Sequence, residues 1–236
     1  MTPGNLYLIP SRLSDSNDRS LVAPIVIDIL KHTDHFLVEN IRTARRFISS
    51  LKAGVVIEDL HFEVLDKKTK WDQLYNFFSP VRSGKNMGLM SEAGTPCLAD
   101  PGNLAVGFAH QTGVRVVPLP GSSSIQLALI ASGFNGQKFT FNGYLPIDKS
   151  PRIQKIKELE SLAATGHTQL FMETPYRNQA LIQDILKNCR PDTWLSIAAD
   201  ITGEGEKILT QNIEKWKKTD IQINKIPAIF SFGQFS

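Results

Sequence analysis

Apolar and polar positions alternate along the chain in blocks. Eight short apolar runs recur: LYLI (6–9), HFLVE (35–39), NMGLM (86–90), VRVVPL (114–119), FTFNGYL (139–145), TQLFME (168–173), WLSIAA (194–199) and AIFSF (228–232). Each has about the length of a buried strand. Between them lie segments with helical spacing, at 21–31, 40–51, 70–79, 103–112, 122–132, 151–164, 176–188 and 212–218. The 55–65 run, VVIEDLHFEVL, reads as a strand or a strand pair. Such alternation predicts an α/β fold on largely parallel sheets. The turn PLPGSSS at 118–124 is the best junction. It gives an N-terminal α/β domain over 1–119 and a C-terminal α/β domain over 120–236.

Composition narrows the class without naming a function. The 236 residues are 42% hydrophobic and 21% charged, which is globular rather than disordered or fibrous. A formal net charge of +3 permits an anionic partner but does not by itself argue for nucleic acid. Two cysteines, Cys97 and Cys189, exclude a disulfide framework and lack zinc-site spacing. The first residues lack the pattern of a secretory signal, and no run approaches the roughly 20 apolar residues of a membrane span. A cytoplasmic protein with no membrane partner is the expectation. There is no GxGxxG, Walker loop, HExxH or GxSxG, and the five histidines show no metal-ligand grouping. No metal is expected.

Four strand-to-helix connections carry candidate chemistry. The stretch Ser91–Gly102, SEAGTPCLADPG, follows the apolar GLM and precedes a helical pattern. Gly94 there permits close approach of a ligand, and Asp100 with Pro101 reads as an N-cap and first helical residue. A loop at the C-terminal end of a strand is where open α/β sheets bind ligands, although a plain capped connection fits equally well. In PGSSSIQLALIASG, 120–133, helix-opening amides are suited to a carboxylate or phosphate, with serine capping the commoner role. Glu39 and Arg42 lie at another strand end, as a catalytic pair or as an ordinary surface ion pair. Glu173-Thr174-Pro175-Tyr176-Arg177 is a fourth such connection. The basic segment 149–157, KSPRIQKIK, reads as a solvated helix face, with phosphate contact the alternative.

Taken together and in order, these segments resemble the tetrapyrrole methylase family, closest to its branch of ribosomal RNA ribose 2′-O-methyltransferases. SEAGTPCLADPG is similar to that branch's S-D-A-G-T-P-x-x-x-D-P-G. VRVVPLPGSSSIQLALIASG resembles V-x-P-L-P-G-P-S-A and the helix after it. FNGYLP, FMETPYR and VENIR are similar to aromatic-x-G-F-L-P, F-Y-E-S-P-H-R and A-E-D-T-R. The resemblance covers nearly the whole chain. It implies two α/β domains with S-adenosyl-L-methionine (SAM) in the cleft between them, within a homodimer, and ribosomal RNA as acceptor. A tetrapyrrole or other small-molecule acceptor, or SAM binding without turnover, are the alternatives.

The resemblance also implies site residues. SAM contacts fall on Leu13, Glu92, Gly94, Thr95, Pro96 and Leu98, on Ser124 and Ile125, on Met172, and on Ala198, Pro227 and Ala228. Mostly small or apolar walls with few polar anchors suit an adenosyl group. The expected catalytic residues are Glu39 as proton acceptor, Arg42 to orient it or hold a substrate phosphate, and Asp15 as a second acceptor. The chain departs from the branch pattern in four places. Pro10–Asp15 is shorter than the branch's P-T-P-I-G-N-L-x-D and lacks its Gly-Asn pair. Asn40 and Glu92 stand where the branch has aspartate, and Tyr176 where it has histidine.

Overall fold

The computed structural model describes residues 2–14 and 19–235. Internal contacts divide the chain into two compact units, Met1–Ser123 and Ser124–Ser236, so the break falls inside the PLPGSSS turn.

In the first unit five four-residue strands, β1 (Asn5–Leu8), β2 (His35–Val38), β3 (His61–Val64), β4 (Met87–Met90) and β5 (Arg115–Pro118), form one sheet. All are parallel, in the order β3-β2-β4-β1-β5. Helices α1 (Pro24–Lys31) and α2 (Ile41–Ser50) connect β1 to β2 and β2 to β3. They bury Val26, Leu30, Phe47 and Ile48 against Ile9, Phe36 and Met90 on one face. Helices α3 (Trp71–Phe77), α4 (Ser79–Arg82) and α5 (Asn103–Gln111) serve the connections running the other way. They bury Leu74, Val81, Ala105 and Phe108 against Leu6, Leu37 and Leu89 on the opposite face. Crossovers toward one edge pack on one face and returning ones on the other, as right-handed connections demand. Both faces are covered, which is why the strands read as apolar runs rather than alternating patterns.

The 55–65 run resolves into a short 3-10 turn, Ile57–Asp59, and the single strand β3. At α5 the expectation of an Asp100 cap is corrected. The helix starts at Asn103 behind Gly102, whose φ is 143°. Cys97 and Ala99 also hold positive φ, so the chain coils once more before the helix begins.

The second unit opens with α6 (Ser124–Ser132) and carries the sheet order β6-β7-β10-β8-β9. Its strands are β6 (Phe139–Tyr144), β7 (Thr168–Met172), β8 (Trp194–Ala199), β9 (Lys207–Asn212) and β10 (Ala228–Gly233). Only β6 and β7 run parallel; β10 is antiparallel to both β7 and β8, and β8 to β9. The expectation of largely parallel sheets therefore fails here. The cause is the tight 200–206 turn, where the Asp200 carboxylate accepts the Gly205 N–H at 2.9 Å and returns the chain as a hairpin.

Helices α7 (Lys149–Ala163), α8 (Asn178–Asn188) and α9 (Ile213–Trp216) cover one face. Ile156, Leu159, Leu181, Ile185 and Trp216 pack there against Phe171, Ile197, Phe230 and Phe232. The Phe171 ring lies 5.7 Å from Phe230 and 5.2 Å from Phe232. Each such fully buried side chain contributes roughly 1.5–3 kcal/mol of transfer free energy. The segment 149–157 is not simply a solvated face, because Arg152 turns inward. Its guanidinium donates to Asp184 Oδ2 at 2.6 and 2.9 Å and to the Ile147 carbonyl at 2.6 Å.

Candidate functional site

In the first unit the route from β1 to β2 passes over β4, and the route from β3 returns to β4. Chains leaving β1 and β2 therefore turn to one face and the chain leaving β4 to the other. That divergence opens a crevice at the C-terminal strand ends, where α/β sheets take their ligands. Three loops meet there. Ser11 N–H donates to the Gly94 carbonyl at 2.9 Å and its hydroxyl to the Ser91 carbonyl at 3.4 Å, joining the β1 and β4 loops. Thr95 Oγ1 donates to the Ser122 carbonyl at 3.1 Å, joining the β4 loop to the segment after β5.

Gly94 is the pivot of the β4 loop. Its φ is +73°, and a Cβ placed there would sit 2.8 Å from Leu13 Cδ2 and 3.3 Å from the Ser122 carbonyl oxygen. Around it Pro96 is buried, Thr95 is half-buried and Leu98 is exposed. Leu13 thus lies against Gly94, in the loop that also carries Thr95, Pro96 and Leu98.

The carboxylates gather at the same strand ends. Glu39 N–H donates to the Met90 carbonyl at 3.3 Å, and Glu92 N–H donates back to Glu39 Oε2 at 3.4 Å. Glu92 Oε1 accepts from Thr43 Oγ1 at 3.4 Å. Burial pushes the Glu39 carboxyl above the ordinary glutamate range; the Glu92 N–H pulls it back, and the charges of Asp100 and Glu92 push it further up. Asp100 is also raised, by burial first, against a hydrogen bond from Ser91 and with the Glu92 charge adding to it. A carboxyl held above its usual range is a stronger base once ionised. Cys97 goes the other way chemically. Burial and the Asp100 charge push its thiol up to about 11, which keeps it neutral and inert near pH 7.

The structure separates Glu39 from Arg42. Arg42 is exposed in the first turn of α2, and no ion pair joins the two among the described residues. Asn40 is the helix cap: its side-chain oxygen accepts from Arg42 N–H at 3.0 Å and Thr43 N–H at 3.3 Å. The departure at position 40 therefore falls on a residue whose side chain holds the start of α2. Asp15 lies outside the described residues. Thr43, Ser11 and Ser91 escaped the reading of the sequence, although Thr43 sits three residues after Asn40 at the usual capping distance.

In the second unit the strand register aligns the other expected contacts. Ile229 of β10 pairs with Met172 on one side and Ala198 on the other, and Ala228 pairs with Ala199. The Pro227 carbonyl accepts Asp200 N–H at 2.9 Å. Met172, Ala198, Pro227 and Ala228 thus share one end of this sheet. Helix α6 packs on β8, β9 and β10. An added Cβ at Gly233 would meet the Phe134 ring, so the helix ends beside the far end of β10. Ser124 and Ile125 open this helix at its other end. The Glu173–Arg177 connection is a local ion pair, with Arg177 donating to the buried Glu173 Oε1 at 2.5 and 3.0 Å.

A cavity of about 560 Å³ lies at the opposite strand ends of the first unit, beside Thr33, Asp34, Val55, Lys85 and Asn86, and none of the expected site residues lines it. Among the described residues no group of three His, Cys, Asp or Glu side chains is placed to hold a metal ion. No helix among them is long and apolar enough to cross a membrane.

Residues 18–216 match the family model for tetrapyrrole (corrin/porphyrin) methylases. The chain is 32% identical over 212 residues to the ribosomal RNA small subunit methyltransferase I of Bacillus subtilis (strain 168), covering 90% of this chain and 64% of that protein. It is 30% identical over 203 residues to the protein of the same name from Vibrio cholerae, covering 86% and 67%. The chain thus spans about two thirds of the length of these relatives. Among solved structures it is similar to the methyltransferase CobJ, with a TM-score of 0.65 and 16% identity, covering 98% of this chain and 94% of that one. It is also similar to the uroporphyrin-III-C-methyltransferase from Thermus thermophilus, with a TM-score of 0.59 and 15% identity, covering 98% and 95%. At those identities the likeness is one of fold.

Proposed function

The chain belongs to the tetrapyrrole (corrin/porphyrin) methylases, whose methyltransferases use SAM, and from that premise we propose that it methylates a ribose 2′-hydroxyl of small-subunit ribosomal RNA. The observation that carries the acceptor is the likeness to ribosomal RNA small subunit methyltransferase I along most of this chain.

The residues at the β4 loop fit the cofactor. A Cβ-free cradle at Gly94, the exposed apolar Leu98 and the half-buried Thr95 suit an adenosyl body. The nearby carboxylates suit a cationic sulfonium. In this proposal the SAM contacts are Leu13, Glu92, Gly94, Thr95, Pro96, Leu98, Ser124, Ile125, Met172, Ala198, Pro227 and Ala228. SAM supplies an already activated methyl group, so the chain's task is to place the acceptor oxygen in line and to take its proton. Glu39 takes that proton. Its raised proton affinity supports the role, and Glu92 N–H fixes one of its oxygens. Arg42, unpaired with any carboxylate among the described residues, holds a substrate phosphate. Asp15 remains a second acceptor in the proposal. A cytoplasmic setting and a homodimer belong to the same reading. Exposed Phe139 and Tyr144 on edge strand β6 support the dimer, which light scattering would test.

Methyl transfer from tritiated SAM tests the function. Label should enter unmodified small-subunit RNA and not a tetrapyrrole precursor; the reverse result would change the acceptor, and SAM binding without transfer would make this a non-catalytic binder. Glu39→Gln should lower turnover by about 10²–10⁴-fold while SAM affinity stays unchanged. The wild-type rate should rise with pH through a value above the ordinary glutamate range, and that limb should vanish in the variant.

A further inference from the structure

We infer that the outer face of α2 docks the phosphate backbone of the acceptor RNA. This rests on the proposed RNA acceptor and adds the surface that receives it. The helix, IRTARRFISS, holds three arginines and no acidic residue. Ala44, Phe47 and Ile48 bury its inner face. Arg42, Arg45 and Arg46 recur at i, i+3 and i+4, so they share the outer face, and all three are exposed. Lys52 follows at the end of the helix, also exposed. An ordinary solvated helix face mixes signs, as α7 does where Lys155 pairs with Glu158 at 2.7 Å.

What holds the cations is also unusual. The Arg45 guanidinium lies over the Phe62 ring at 5.3 Å, and the Arg12 guanidinium lies over the Phe47 ring at 5.5 Å while donating to Ser50 Oγ. For Arg45 the ring orders the guanidinium without neutralising it, which leaves its planar donor face available to phosphate. Among the described residues neither Arg42 nor Arg45 joins an ion pair. The row begins at the Asn40 cap, next to Glu39, so it leads away from the candidate base along the helix. A net charge of +3 spread over 236 residues conceals this local concentration.

Fluorescence anisotropy with a labelled, unmodified small-subunit RNA fragment, repeated across a salt series, tests the inference. Arg45→Gln should weaken binding several-fold and lower the slope of log K against log salt by about 0.7–0.9, the loss of one phosphate contact. Arg45→Glu should weaken binding further, and Arg45→Lys should restore the slope. SAM affinity should be the same in all three, which also reports folding. If the wild type binds and methylates RNA while Arg45→Gln and Arg45→Glu keep its affinity and slope, the inference fails and the proposed function stands. If the wild type neither binds nor methylates RNA, both fall. Equally tight, equally Arg45-dependent binding of polyaspartate or of anionic lipid vesicles would overturn the assignment to RNA.

Discussion

In the first unit the carboxyl groups of interest, Glu39, Glu92 and Asp100, collect at strand ends; Glu39 accepts the Glu92 N–H and feels the Lys67 charge, but among the described residues none of the three closes an ion pair. In the second unit Asp184 and Glu160 are inside and matched. Arg152 and Asp184 close a buried ion pair between α7 and α8, and Glu160 accepts from Arg190 N–H and Thr193 Oγ1. The same residue types thus serve opposite ends. Where charge is paired and enclosed it fixes two helices against a sheet. Where it is left partly unpaired at a parallel-sheet edge, proton affinities shift and chemistry becomes available.

Breaking the matched pair should have the largest effect. Asp184→Ala leaves the Arg152 guanidinium buried with only the Ile147 carbonyl as partner. The expected loss is about 3–5 kcal/mol, read from urea unfolding. Replacing both partners, Arg152→Met with Asp184→Leu, should recover most of it, because the cost lies in the orphaned charge rather than in the pair. A single variant that unfolds at the wild-type midpoint would show that the pair is not structural.

The first unit should respond more through ligand binding. Gly94→Ala forces a left-handed conformation on a residue with a Cβ, at roughly 1–2 kcal/mol, and presses that Cβ on Leu13. Stability should fall by about that amount. SAM affinity, measured by calorimetry, should fall about tenfold as Leu13 is displaced from the loop. Loss of stability with unchanged SAM affinity would remove the Gly94 loop from the binding site.

The contrast also explains what the sequence made legible. The eight apolar runs are all strands; β2, β4, β7, β8 and β10 are mostly buried and cannot hide their composition, while the half-buried β5 and β6 were legible from composition alone. Strand β9, KILTQN, went unread because its residues are mostly polar. The D-I-T-G-E-G-E turn before it was the available signal, and it would have revealed the antiparallel hairpin as well. At the site, Gly94 and its loop were legible from residue types alone. The meeting of Glu39 with Glu92, 53 residues apart, was not, since only the sheet order brings those strand ends together. Asp100 was visible but misplaced as a helix cap. Three neighbouring residues with positive φ, Cys97, Ala99 and Gly102, carry the chain away from a cap geometry that its Asp-Pro sequence otherwise suits.

Asp100 offers the smallest and most discriminating test of the contrast. Its folded-state proton affinity is raised, chiefly by burial, so protonation favours the folded state. The stabilisation this gives is complete below the ordinary aspartate range and is lost as pH rises through the raised value. At neutral pH the ionised side chain is therefore a modest cost. Asp100→Asn keeps an oxygen to accept from Ser91 and removes the charge. It should be no less stable than the wild type at pH 7, and its unfolding midpoint should vary less with pH across that interval. The same change should bring the Cys97 thiol down from about 11, because the Asp100 charge is one of the two causes holding it up. Faster alkylation of Cys97 at alkaline pH would register this independently. Replacing the carboxylate of the matched Asp184 should instead cost stability, because it orphans the buried Arg152. If Asp100→Asn destabilises at neutral pH as Asp184→Ala does, the strand-end carboxyl is structural, and the division between the two units fails at that residue.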